Sequence, residues 1–143
     1  MNTKATIVAG ALGAAGDWTP ASGTGAVVVF EGIVRPTENG QPIAGLEYEV
    51  YEPMAGRILE QIAAAVMERH GLLGVRAEHS RGFVRAGERS FRLSIAAVHR
   101  AEALAAAEEF IDAMKRDAPI WKRPVPMGQH RGGGEVGKGS AES

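Results

Sequence analysis

Residues 90–116 read Ser-Phe-Arg-Leu-Ser-Ile-Ala-Ala-Val-His-Arg-Ala-Glu-Ala-Leu-Ala-Ala-Ala-Glu-Glu-Phe-Ile-Asp-Ala-Met-Lys-Arg. The apolar period changes inside this stretch. From Ser90 to Val98, Phe91, Leu93, Ile95 and Ala97 alternate with Arg92 and Ser94, the two-residue period of a strand with one face in a core and one in water. From about Ala101 to Arg116, Ala103, Leu104, Ala107, Phe110, Ile111 and Met114 recur at helical spacing. The handover from strand to helix falls on His99-Arg100. Pro119 stops the helix, and Ala118 before it is pushed toward extended geometry.

The same succession appears upstream. Thr3–Ala9 reads as a short first strand, and residues 10–24, rich in Gly, Ala, Ser and Pro, read as loop. Gly25–Arg35 is rich in β-branched residues and reads as a buried strand, with Gly32 marking a bulge or a close backbone approach. Glu38-Asn39-Gly40-Gln41 is a hairpin turn signal. Ile43–Tyr51 alternates Leu46, Tyr48 and Val50 with Glu47 and Glu49. Pro53 opens a helix whose apolar stripe is Ile58, Ile62, Ala65 and Val66, with Gly71 as C-cap. Val75–Val84 is a strand, and Ala86-Gly87-Glu88 a turn. The order β-β-α-β-β-α predicts an α+β fold in which helices cover one face of a largely antiparallel sheet. Residues 1–123 form one domain. Residues 124–143 are Gly- and Ser-rich at their end and read as a flexible tail.

Bulk composition narrows the function. The chain has 143 residues, 45% of them hydrophobic, and a formal net charge of -1. That balance argues against a general nucleic-acid or membrane footprint. There is no cysteine, so disulfides, thiolate metal sites and cysteine nucleophiles are excluded, in keeping with a reducing cytoplasm. The glycine-broken stretch from Ile7 to Gly16 makes a poor secretory signal. The basic residues Lys115, Arg116, Lys122, Arg123, His130, Arg131 and Lys138 fall in one C-terminal stretch.

Lys115 and Lys122 flank the turn at Pro119, and Trp121 beside Lys122 is placed to pack a lysine stem and exclude water. The plain alternative is one lysine interacting with a helix C-terminus and another in solvent. His99-Arg100, at a helix start, forms an anion site or a solvated cap. Arg35, ending a strand before a turn, faces the same pocket or serves structure alone. Residues 132–139 nearly fit a phosphate loop, but Gly139 stands where Ser or Thr is required. Glu78-His79 lacks a second histidine at metal spacing. Glu47 and Glu49 read as solvated surface, and Tyr48, Tyr51 and Phe30 as core.

In order along the chain, Gly25–Phe30 running to Val34-Arg35, Leu46-Glu47-Tyr48-Glu49 through Tyr51-Glu52-Pro53-Met54, Gly87-Glu88, Val98-His99-Arg100, Lys115, and Pro119-Ile120-Trp121-Lys122-Arg123 resemble the large, catalytic subunit of molybdopterin synthase. The resemblance covers roughly residues 25–123. It implies an α/β hammerhead-type fold with an antiparallel β subdomain, a central homodimer, and a small ubiquitin-like sulfur-carrier subunit docked at each end to give a heterotetramer. The carrier's Gly-Gly tail ends in a thiocarboxylate, whose sulfur converts cyclic pyranopterin monophosphate to molybdopterin in two rounds. No cofactor or metal is implied. By the same resemblance, Lys115 positions or activates the thiocarboxylate, and Lys122 transfers protons and stabilises charge. Arg35, His99 and Arg100 line the anionic pocket, some of them across the dimer. Arg123 assists, and Phe30 forms a wall.

Two features depart from the family pattern. Pro124 stands where an acidic residue usually follows the Trp-Lys-Arg element, and the tail lacks the usual tryptophan. They leave open a weak or inactive relative that binds the sulfur carrier as an interaction module. An enzyme acting on another phosphorylated small molecule is a third reading.

Overall fold

The computed structural model describes residues 2–16 and 18–128. The expected tail therefore lies, from residue 129, outside the described residues, as do the glycine-rich stretch 132–139 and the basic residues His130, Arg131 and Lys138. The elements are β1 (Thr3–Ala9), β2 (Ala26–Ile33), β3 (Thr37–Glu38), β4 (Gln41–Val50), α1 (Met54–His70), β5 (Gly74–Arg85), β6 (Arg89–Ala97), α2 (Arg100–Asp117) and β7 (Ile120–Pro126). The fold is α+β, as the sequence predicts.

The twelve-residue strand β5 organises the sheet. Its first half pairs with β1 in parallel and with β6 in antiparallel register, and β2 closes that edge against β6. Its second half leaves β6 and pairs with β4, which in turn carries β3 and β7. A larger sheet and a smaller antiparallel subsheet thus share one strand. Both helices pack on the larger sheet. Leu59, Ala63, Val66, Val75, Leu93, Ile95, Ala103, Ala106 and Phe110 form the centre of that core. A second, smaller core holds Val34, Ile43, Leu46 and Val84.

Local signals act where the sequence places them. Asn39 and Gly40 both take positive φ in the β3–β4 turn, the conformation that a two-residue hairpin needs. The β2–β6 register shifts between Gly32 and Ile33, which is the bulge among the two alternatives read at Gly32. Gly71 ends α1 in the left-handed conformation.

Five expectations are corrected. β2 is not a buried strand: it is the edge strand beside β6, and its Val27, Val29 and Ile33 are exposed. β7 is an unforeseen strand, and it runs through Pro124 to Pro126, past the expected domain boundary at residue 123. Pro53 is the N-cap of α1, after a cis peptide bond from Glu52, and not its first helical residue. The buried face of α1 is Ala55, Leu59, Ile62, Ala63 and Val66; Ile58 packs against that core from its edge, and Ala65 is exposed. In α2, Ala106 is buried while Leu104 is 55% exposed.

The other face of β6 is not in water. Arg92 is buried there and donates from Nε to Glu31 and from Nη1 to Glu78, at 2.8 and 2.9 Å. It also donates from Nη2 to the carbonyl oxygen of Gly13. Leu12 bridges to Arg89 through its backbone N–H at 2.9 Å. The β1–β2 loop is thereby fastened to the sheet through Leu12 and Gly13, and Ser94 on the same strand is buried as well. Burial disfavours the charged guanidinium, but the two carboxylates more than offset it, and the Arg92 pKa is raised above its ordinary value. Glu78 is thus a structural partner of Arg92.

Candidate active site

The antiparallel pairing of β4 with β7 places Lys122 opposite Tyr48, Trp121 opposite Glu49 and Ile120 opposite Val50. Pro119 turns the chain between α2 and β7, with its carbonyl accepting the Tyr51 N–H at 3.1 Å. The last turn of α2, carrying Lys115, is thereby set beside the strand carrying Lys122. The β2–β3 connection supplies Arg35 from the other side.

These elements enclose a cleft of about 590 Å³. Phe30, Arg35, Lys115 and Lys122 all line it, with Trp121 and Ile120 at β7 and Tyr48, His79, Ser90 and Phe91 from the sheet. Among the described residues, no carboxylate lies within ion-pairing distance of Lys115, Lys122 or Arg35. Glu38 is the one acidic side chain among the lining residues. Three cations facing a common space with one carboxylate make a site of net positive charge in a chain of formal net charge -1. Such a site favours an anionic ligand with several acceptor oxygens.

The remaining expected residues lie elsewhere in the chain. His99 is the N-cap residue of α2, with its N–H donating to the Glu102 carboxylate at 3.2 Å. Arg100 begins that helix. The fifteen residues from Arg100 to Lys115 span about 22 Å of helix, so His99 and Arg100 do not share the cleft of their own chain. Arg123 stands opposite Glu47 and is not among the lining residues. Trp121 is at the cleft but 58% exposed, so it forms a rim and does not seal a lysine from water. Phe30 and Tyr51 are 41% and 59% exposed, which overturns their reading as core.

The cleft floor holds groups that sequence reasoning passed over. His79 is buried, and its Nδ1–H donates to the Ser80 carbonyl at 2.7 Å. Burial pushes its pKa below the ordinary imidazole value, although the Ser80 hydrogen bond opposes this. Tyr48 meets the His79 ring edge-on, with centroids 5.1 Å apart, and its hydroxyl donates to Ser90 Oγ at 3.0 Å. Burial raises the Tyr48 pKa. In sequence these residues look like ordinary strand positions. The only available signal was polarity at inward-facing positions of β5 and β6.

No group of three or more potential metal ligands occurs among the described residues.

The family model described as MoaE protein matches residues 4–117. That range includes Lys115 and stops before Lys122. The molybdopterin synthase catalytic subunit of Coccidioides immitis is 41% identical over 117 residues, covering 82% of this chain and 60% of its own length. The corresponding subunit of Nostoc is 43% identical over 103 residues, covering 71% of this chain and 62% of its own length. The chain thus spans about three fifths of these curated relatives. Among solved structures, molybdopterin synthase from Staphylococcus aureus superposes with a TM-score of 0.71 at 33% identity, covering 76% of this chain and 79% of that one. The complex of subunits 1 and 2 of molybdopterin-converting factor from Helicobacter pylori gives 0.68 at 28% identity, covering 86% and 85%.

Proposed function

Because the chain belongs to the MoaE protein family, we propose that it is the catalytic subunit of a molybdopterin synthase. In this reading it moves sulfur from the C-terminal thiocarboxylate of a small ubiquitin-like carrier onto cyclic pyranopterin monophosphate. The observation that carries the reading is the convergence of Lys115, Lys122 and Arg35 on one cleft, with no carboxylate partner for any of them among the described residues.

The chemistry needs three things of the protein. The substrate phosphate must be held, and Arg35 supplies charge and directional donors for it. The carrier's terminal carbonyl must be oriented and polarised, and Lys115 does this from the end of α2. Its ammonium also stabilises the oxyanion that develops when water cleaves the acyl–sulfur linkage, which releases the carrier as a carboxylate and leaves sulfur on the pterin. A proton must move to and from the pterin intermediate, and Lys122 serves there. Phe30 walls the site, and Arg123 adds positive charge nearby. Two rounds give the dithiolene.

His99 and Arg100 act in trans, in a homodimer. They lie about 22 Å along α2 from Lys115. Val27, Val29 and Ile33 on the edge strand β2, with Val98 and Leu104 near the start of α2, are between 44% and 55% exposed. An apolar surface beside an unpaired strand edge suits a second copy. With a carrier at each end the assembly is a heterotetramer. No helix among the described residues is long and apolar enough to cross a membrane. The reading places the assembly in the cytoplasm, and a sequence without cysteine supports it.

A second reading, a carrier-binding module without turnover, is favoured by Pro124, which sits opposite Leu46 in β7 and supplies no carboxylate after Arg123. Mixing the purified chain with thiocarboxylated carrier and cyclic pyranopterin monophosphate separates the two. Dithiolene product is the expected result. Carrier binding without product supports the module, and neither binding nor product contradicts both.

A further inference from the structure

The floor of the cleft carries a paired acceptor and donor that the sulfur-transfer roles leave unused. The tautomer of His79 follows from its surroundings. A carbonyl oxygen only accepts, so the contact to Ser80 fixes the proton on Nδ1. Nε2 then bears the lone pair, and it takes no hydrogen bond from any described residue. The low pKa caused by burial keeps the ring neutral near pH 7. Ser90 is 5% exposed and accepts from the Tyr48 hydroxyl, which leaves its own proton free to donate. Tyr48 touches both groups, by ring edge at His79 and by hydroxyl at Ser90. Tyr48 thus contacts both the acceptor and the donor, and all three residues line the same cleft. Phe91 lies against His79 at 5.8 Å between centroids and against Phe30 at 6.1 Å, so two further aromatic rings line the cleft beside His79.

We infer that His79 and Ser90 form a recognition subsite for the lactam edge of a flat heterocycle, His79 Nε2 accepting its ring N–H and the Ser90 hydroxyl donating to the adjacent carbonyl. The pyrimidinone ring of a pterin presents that N–H and C=O side by side. The inference rests on the cleft being the pterin site proposed above and divides its labour: Arg35 and the lysines hold charge, while His79 and Ser90 select the ring. Both are specificity and positioning residues and take no part in moving sulfur. A cationic cleft alone would accept any small phosphorylated anion. A buried acceptor and donor discriminate, because a ligand without the matching edge leaves both unpaired.

The test uses the full chain and two probes, a phosphate-free pterin followed by its fluorescence and inorganic pyrophosphate followed by calorimetry. His79→Asn keeps a donor for the Ser80 carbonyl and removes the distal acceptor, whereas His79→Gln retains reach toward the Nε2 position. Ser90→Ala removes the donor. The expected result is a fivefold or greater loss of pterin affinity in His79→Asn and Ser90→Ala, partial recovery in His79→Gln, and pyrophosphate affinity unchanged within twofold. Unchanged pterin affinity in both variants would overturn the inference while leaving the cleft's assignment intact. Equal losses for pterin and pyrophosphate would overturn it as well, because they would report a collapsed cleft. If the unaltered chain bound neither probe, the reading of the site itself would fail, and the subsite with it.

Discussion

Burial holds the His79 ring neutral, and that choice makes stability depend on pH. Its folded pKa lies below the ordinary value of 6.5. The unfolded chain therefore takes up a proton first as pH falls, and the stabilisation present above about 6.5 is lost as pH drops toward and through the folded pKa. Two carboxylates act lower. Glu31 is held below its ordinary 4.5 by Arg89 and then Arg92, and Glu109 by His70 and then Arg69. Their contributions are present above 4.5 and are lost as pH falls through their depressed values. Thermal melts from pH 8 to pH 3 should fall in two stages, one beginning just below 6.5 and one below 4.5. His79→Asn should remove the first stage only. A single acid transition in the unaltered chain would contradict this account of His79.

The strand elements depend on one close approach. A Cβ added at Gly45 would fall inside contact distance of the Val84 carbonyl oxygen and 2.8 Å from the Phe83 ring. Gly45 is also where β4 pairs with both β5 and β7. Gly45→Ala should therefore push the smaller subsheet apart, with an overpacking cost of about 1–3 kcal/mol, measurable as a lowered denaturation midpoint. Unchanged stability would mean that β4 can shift without cost. The sequence made Gly45 look like an ordinary member of an alternating strand, because close approach is set by a partner some forty residues away. β7 was hidden for a related reason. Pro124 and Pro126 remove backbone donors and break any alternation, so nothing local marks a strand. Pairing with β4 supplies the order, and edge placement tolerates the prolines. By contrast, Asn39-Gly40, Gly32 and Gly71 were legible because their effects are local. The helix faces were found to within a rotation, since alanine-rich stretches offer little contrast between one face and the next.

At the scale of the whole molecule, the cleft is a product of topology. α2 ends, Pro119 turns the chain, and β7 returns along β4, so Lys115 and Lys122 come together seven residues apart with a break between them. Spacing alone left that convergence open beside one lysine at a helix end and another in solvent, because a proline between two lysines rules out a continuous helical face without fixing where the second lysine goes; the family resemblance is what named both. Arg35 could be anticipated less firmly, and His79, Ser90 and Tyr48 not at all, because a polar residue on a strand carries no sign of which side of a sheet it will meet. His99 and Arg100 carry a recognisable motif, yet helix length removes them from their own cleft. A motif gives residue identity, whereas the distance between its parts belongs to the fold. The claim that unites these observations is that the Lys115 ammonium drives sulfur transfer. It is tested most directly by product formation from thiocarboxylated carrier and cyclic pyranopterin monophosphate with Lys115→Ala, alongside carrier affinity and a thermal melt. The account predicts a loss of about a hundredfold or more, with the fold retained and the carrier still bound. Undiminished dithiolene formation by that variant would contradict it.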